Sequence, residues 1–198
     1  MTSLLIALKQ TTRPHHESLE QTLDLLAPNL SRTDYLRLIK AFWGYYCPLE
    51  ARLASVPELI TWMPDFNERI KLSLLEKDLV ALGVEVETIA QLPQCNKLPA
   101  CADVDQALGC LYVMEGATLG GQVISRHIKQ LLDLDAHNGT AFFSSYGDAT
   151  GLMWQTFREQ LTTLKADEER VIESACMTFL TLEKWLVRVL KEVSYPKP

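Results

Sequence analysis

Three glycines fall inside a stretch whose apolar spacing is helical. Across residues 109–128, Leu111, Met114 or Glu115, Leu119, Val123 and Ile128 recur at three, four or five residues. Gly116, Gly120 and Gly121 occupy the middle of that stretch. A glycine in a helix interior costs about 1 kcal/mol against alanine, so three cost roughly 3 kcal/mol. Gly116 and Gly120 are four apart and share a face. They leave a trough without side chains, where the helix can bend. Two uses fit such a trough: close packing against a second helix, or a flat ligand laid against backbone.

A second set lies near the start of the chain. Lys9, Arg13, His16 and Glu20 follow at spacings of four, three and four. They form a polar ridge beside the apolar stripe Leu5, Leu8, Thr12, Leu19, Leu23 and Leu26. An imidazole opposite a bare backbone trough could clamp a planar metal macrocycle, with histidine as axial ligand. Glycine on the other face would leave room for a small diatomic molecule, and the lysine and arginine could pair with carboxylates on the ring edge. The same ridge also reads as a solvated edge with ordinary ion pairs. Spacing does not separate His16 from His15, which sits nearer the apolar side.

Other catalytic patterns are absent. The sequence has no H-E-x-x-H, P-loop or G-x-S-x-G motif. It has no pair of Glu-x-x-His motifs of the kind a di-iron carboxylate bundle uses. A net charge of −6 argues against bulk affinity for nucleic acid or anionic membrane. No apolar run approaches about 18 residues, so no membrane span is expected. The first residues lack the basic region and cleavage site of a secretory signal. Five cysteines, odd in number and without a C-x-x-C, fit the reduced thiols of a cytoplasmic protein.

The elements that must position these residues are all helical in period. The 198 residues suit one domain with one sizeable core, and neither repeats nor alternating strand patterns occur. The spacing predicts a first helical region over residues 3–26, kinked or divided at Pro14. Ser31 is a good N-cap for a second helix over residues 32–55, which carries the aromatic stripe Phe42, Trp43, Tyr45 and Tyr46 and reads as core. Residues 56–66 read as loop with a short helical turn, residues 67–82 as one helix ending at Gly83, and residues 85–92 as a short helix. The glycine helix is expected over residues 103–134, an irregular aromatic segment over 141–147, and a helix over 150–164. A last long helix, capped by Asp167, would run to about Val193, with a frayed tail after it. The expectation is an all-α, single-domain protein spanning residues 1–198.

Several motifs in this order resemble the heme (haem) oxygenases, specifically the bacterial biliverdin-producing type found beside bacteriophytochromes. The most specific runs from Tyr112 through Val-Met-Glu-Gly-Ala-Thr-Leu-Gly-Gly to Gln122 and is similar to the family's distal helix. Lys9-x-x-x-Arg13-x-x-His16-x-x-Leu19-Glu20 is similar to its proximal segment. Phe42-Trp-Gly-Tyr-Tyr-Cys-Pro-Leu-Glu50, Asp78-Leu-Val-Ala-Leu-Gly83, Ala141-Phe-Phe and Thr150-Gly-Leu-Met-Trp154 support the match, which covers nearly the whole chain.

The resemblance implies that His16, rather than His15, is the proximal iron ligand. Glu20 would orient the proximal imidazole, and Lys9 and Arg158 would pair with heme propionates, with Arg13 beside them. Gly116, Gly120 and Gly121 would floor the distal side, walled by Phe142 and Phe143. Heme would be both cofactor and substrate, opened by dioxygen to biliverdin, carbon monoxide and ferrous iron. Electrons would come from an external reductase or ferredoxin, and a bacteriophytochrome is the biliverdin acceptor the subtype suggests.

Two positions depart from the family pattern. The aspartate that follows the first distal glycine in animal members is Ala117 here, which makes Thr118 a candidate for the proton relay. It also leaves room for a reading as a heme store or sensor without ring opening. The propionate tyrosine expected five residues before that glycine is replaced by Leu111, with Tyr112 alongside.

Overall fold

The structure is a computed structural model and describes residues 3–192. Among the described residues ten helices run in the order α1 (Ser3–Leu23), α2 (Arg32–Ala54), α3 (Pro57–Trp62), α4 (Phe66–Arg69), α5 (Leu72–Ala81), α6 (Val86–Ile89), α7 (Val104–Leu132), α8 (Ala141–Ser144), α9 (Thr150–Thr163) and α10 (Glu168–Glu192), with a 3-10 turn at Gly147–Ala149. Among the described residues there is no strand, which is the all-α class that the helical spacing implied.

The central packing is α7 along α10, and α1 also lies along α10. Close approach on the α7–α10 seam depends on Gly109, where a Cβ would meet the Val171 carbonyl oxygen at 2.4 Å. Helix α2 packs against α5 and α10, and its Tyr35, Ile39, Tyr45 and Leu49 are fully buried. The aromatic stripe of α2 is therefore core, as its spacing implied.

Several boundaries follow local signals. Ser31 caps α2 by accepting the Asp34 N–H at 3.1 Å. Asp103 caps α7 by accepting the Gln106 N–H at 3.1 Å. Asp167 Oδ1 accepts the Arg170 N–H at 3.3 Å, so α10 begins where a cap was expected. Its expected end at Val193 and the tail lie outside the described residues. Pro14 and Pro48 stay inside α1 and α2, so neither divides its helix.

Other boundaries differ from the sequence reading. The first helix stops at Leu23 instead of Leu26, because Asp24 turns to φ +39°. Residues 67–82 are not one helix: α4 ends at Arg69, Ile70 is extended (φ −63°, ψ 129°), and α5 begins at Leu72. The break comes from a distant residue. Glu50 of α2 accepts the N–H groups of Lys71 and Leu72 at 2.7 and 3.1 Å, so a carboxylate from another helix caps α5. The segment after residue 140 is also more ordered than expected. It forms α8, whose first N–H groups, on Ala141 and Phe142, are accepted by Asp78 of α5 at 2.6 and 2.8 Å.

By length and composition, α7 is apolar enough to cross a membrane, although no such stretch was expected. Within the fold 56% of that window is buried, and the helix serves the core. All five cysteines are free thiols, with Cys101 and Cys110 sulfurs 3.4 Å apart.

Candidate functional site

A cavity of about 1130 Å³ opens between α1 and α7. It lies just above the usual range of about 300–1,000 Å³ for small-molecule sites. Helix α1 supplies one wall, including Lys9, Arg13, His16 and Glu20, and α7 supplies the other, from Tyr112 to Ile124. Phe42 and Tyr46 of α2 and Phe142 and Phe143 of α8 close its inner end, while Trp154 and Arg158 of α9 stand at the side. The aromatic end is tightly built: Phe142 lies 5.1 Å from Tyr46 and 5.2 Å from Phe42, centroid to centroid.

Gly116, Gly120 and Gly121 of α7 divide between both uses that the sequence left open. A Cβ on Gly120 would meet nothing within 4 Å, so this position opens onto the cavity. At Gly116 the nearest atom would be the Trp154 ring, at an ordinary 3.7 Å. At Gly121 a Cβ would stand 2.6 Å from the Phe143 carbonyl oxygen. Gly121 therefore lets α8 approach α7, while Gly116 and Gly120 make the bare surface. Thr118 lines the cavity, but its hydroxyl donates to the Glu115 carbonyl at 2.7 Å. It can offer only acceptor lone pairs to a ligand.

On the opposite wall His16, not His15, is a lining residue. Its Nδ1 lies 3.4 Å from Glu20 Oε2, and its ring meets Phe179 edge-on at 5.8 Å. These contacts tie Nδ1 and leave Nε2 for a ligand. Arg13 is committed to Glu17, Nε to Oε1 at 2.7 Å on the exposed side of α1.

Against known proteins, the model of the Heme oxygenase family matches residues 2–188. The chain belongs to the heme oxygenase family. It is a heme-degrading enzyme of that family. No curated protein sequence matches it. Among solved structures it is similar to the NO- and CO-bound heme oxygenase from Neisseria meningitidis, with 22% identity and a TM-score of 0.82 over 96% of this chain and 94% of that one. It is also similar to heme oxygenase-2 from Synechocystis sp. PCC 6803 in complex with heme and NO (20% identity, TM-score 0.75, 97% and 86% of the two chains). The heme oxygenase from Leptospira interrogans gives 18% identity and a TM-score of 0.73 over 94% and 100%. At these identities the neighbours establish the fold.

The cavity of this heme oxygenase fits a flat, anionic, metal-bearing ring on its own terms. Among the described residues no three His, Cys, Asp or Glu side chains cluster to hold an ion. A single imidazole suits a metal that brings its other donors with it. Arg158 Nε is buried with no hydrogen-bond partner, and its guanidinium lies 5.6 Å from the Trp154 ring centroid. An incoming carboxylate would satisfy that orphaned donor. Tyr112 packs on the same Trp154 at 5.6 Å, beside Arg158. Leu119 and Val123 are large, apolar and 43% and 48% exposed, yet both line the cavity. A ring laid on α7 would cover them.

Behind α7 the heme oxygenase carries a buried charge cluster that sequence reasoning missed. Arg69 Nη1 donates to Glu115 Oε2 at 2.6 Å, and Arg69 Nη2 to Asp65 Oδ2 at 2.7 Å. Lys71 Nζ donates to the Arg69 carbonyl at 2.6 Å, to the Tyr146 hydroxyl at 2.5 Å and to Glu115 Oε1 at 3.3 Å. The Tyr146 hydroxyl in turn donates to Glu115 Oε1 at 2.7 Å. Burial pushes the Glu50 acid up to about 7, against its two backbone hydrogen bonds, and lowers the Lys71 ammonium. The available signal was a glutamate at position 115 of an apolar helix and two cations within three residues at 69–71.

Proposed function

We propose that heme lies between α1 and α7 with His16 as its proximal ligand, and that the enzyme opens it with dioxygen to biliverdin, carbon monoxide and ferrous iron. Heme so bound supplies both the oxygen-binding iron and the ring carbon that is oxidised. The observation that carries this reading is the opposition of His16 and the bare Gly116–Gly120 face across one cavity.

The residues of the chain then have distinct tasks. Glu20 orients the His16 ring through Nδ1. Lys9, Arg158 and Tyr112 receive the propionates, with Arg13 adding positive charge at the rim. Gly116 and Gly120 let the ring and its small ligand approach backbone, and Gly121 supports them by seating α8. Phe142 and Phe143 exclude water from the inner end. Thr118 accepts a hydrogen bond from ordered water in the cavity.

Electrons come from a separate reductase or ferredoxin, since the sequence carries no flavin or nicotinamide motif. The Tyr112–Gln122 motif supports the bacteriophytochrome-associated subtype, with a bacteriophytochrome as biliverdin acceptor and the cytoplasm as location. Adding heme, reductant and oxygen should produce a biliverdin absorption band. His16→Ala should abolish the five-coordinate heme spectrum, and His15→Ala should leave it intact. Damage by His15→Ala alone would reassign the ligand.

A further inference from the structure

Seven ionisable residues of α1, the segment after it and α9 line the cavity: Lys9, Arg13, His16, Glu17, Glu20, Asp24 and Arg158. All of them stand on the proximal wall or at the side, and all but half-buried Arg158 are exposed. On the α7 wall, Ala117 carries no polar group and Thr118 turns its proton to the Glu115 carbonyl. Glu115 is 1% exposed, does not line the cavity and points into the cluster behind the helix. Among the described residues, one charged side chain both lines the cavity and is buried: Lys71, at 2% exposure.

We propose that Lys71 gives the distal side of this cavity its positive charge and its hydrogen-bond donor, and that Glu115 and Tyr146 are the positioning residues that hold it there. The inference rests on heme binding in this cavity as proposed above, and it concerns a position reached from α5 rather than from the glycine helix.

The surroundings of the ammonium support a role beyond packing. Its facing groups are Glu115 from α7, Tyr146 from the loop after α8, Arg69 and Asp65 at α4, and Glu50 and Tyr46 from α2. Arg69 takes up one oxygen of Glu115 and Oδ2 of Asp65, so Lys71 shares the other oxygen of Glu115 with the Tyr146 hydroxyl. The Lys71–Glu115 contact is the longest of the ammonium's three, at 3.3 Å. It is the donor most easily turned toward a ligand or water in the cavity. A buried ion pair is seldom kept for stability, because an apolar replacement is often neutral or better. Tyr46, the other polar group at the inner end, lines the cavity beside the same carboxylates.

The test is ligand binding to the ferric heme complex, with sodium azide as an anionic probe and carbon monoxide on the reduced form as a neutral one. Lys71→Met should weaken azide binding about tenfold through loss of a nearby charge in a poorly screened site. Heme affinity and carbon monoxide affinity should stay close to wild type. Lys71→Gln, which keeps hydrogen-bonding capacity without charge, should show the same azide defect and guards against misfolding of the methionine variant. Unchanged azide binding in either folded variant overturns the proposal. Equal loss of azide and carbon monoxide binding, or loss of heme binding by both variants, also overturns it, since Lys71 would then only support the fold. A wild-type protein that takes up no heme would instead refute the cavity assignment itself.

Discussion

Adjacent glycines at 120 and 121 should respond oppositely to the same methyl group. At Gly120 a Cβ meets nothing within 4 Å. Gly120→Ala should therefore gain the helix propensity of alanine, about 1 kcal/mol, with no steric cost in the unliganded protein. For a chain of this size that is a Tm increase of about 2–4 °C. At Gly121 the same Cβ would sit 2.6 Å from the Phe143 carbonyl oxygen. That carbonyl belongs to α8, whose first N–H groups are fixed by Asp78, so it has little freedom to retreat. Overpacking of this kind costs about 1–3 kcal/mol, and after the propensity gain the net loss is up to about 2 kcal/mol, or up to about 8 °C in Tm. Thermal unfolding followed by far-UV circular dichroism reads both. Gly120→Leu extends the comparison to function, because its side chain fills the space the ring needs and should weaken heme binding at least about tenfold. Gly121→Ala as stable as Gly120→Ala, or Gly120→Leu binding heme like wild type, would refute the division of labour between these two positions.

Arg158→Met should weaken heme binding while preserving the fold, because the guanidinium is held by stacking on Trp154 and its Nε has no protein partner to lose. A heme titration in the Soret region checks it, and an unchanged affinity would remove Arg158 from the propionate site. Burial raises the Asp78 acid to about 6 from its ordinary 3.8, against the two N–H bonds it accepts. A raised folded-state value means that the wild type loses stability as pH climbs from about 4 to about 6. Asp78→Asn should lack that part of the pH dependence, which urea unfolding across this range will show. Glu50→Gln should remove the corresponding loss between about 4.5 and about 7, and a variant curve parallel to wild type would contradict the assignment.

The long elements were readable because each signal was local. Ser31, Asp103 and Asp167 sit where a short polar side chain can reach the first turn, and the apolar spacing of α2 survives in the fold as core. The break between α4 and α5 was not readable, because its cause, Glu50, lies about twenty residues upstream on another helix. The order of α8 depends in the same way on Asp78. In the site, His16 and the glycines could be named from spacing and resemblance, but spacing could not assign Gly121 to packing and Gly120 to open space. Lys71 stayed hidden because a lysine in a stretch that reads as helix is ordinarily solvated. Only the tertiary position of Glu115 makes it a buried cation at the cavity wall.

The sharing of one carboxylate by Arg69 and Lys71 constrains how this protein can evolve. With all three side chains at 2% exposure or less, losing Glu115 strands two cations away from water, at a cost of about 3–5 kcal/mol, whereas losing either cation leaves the carboxylate paired with the other. Viable lineages must therefore change position 115 only together with positions 69 and 71, while either cation can be replaced by itself.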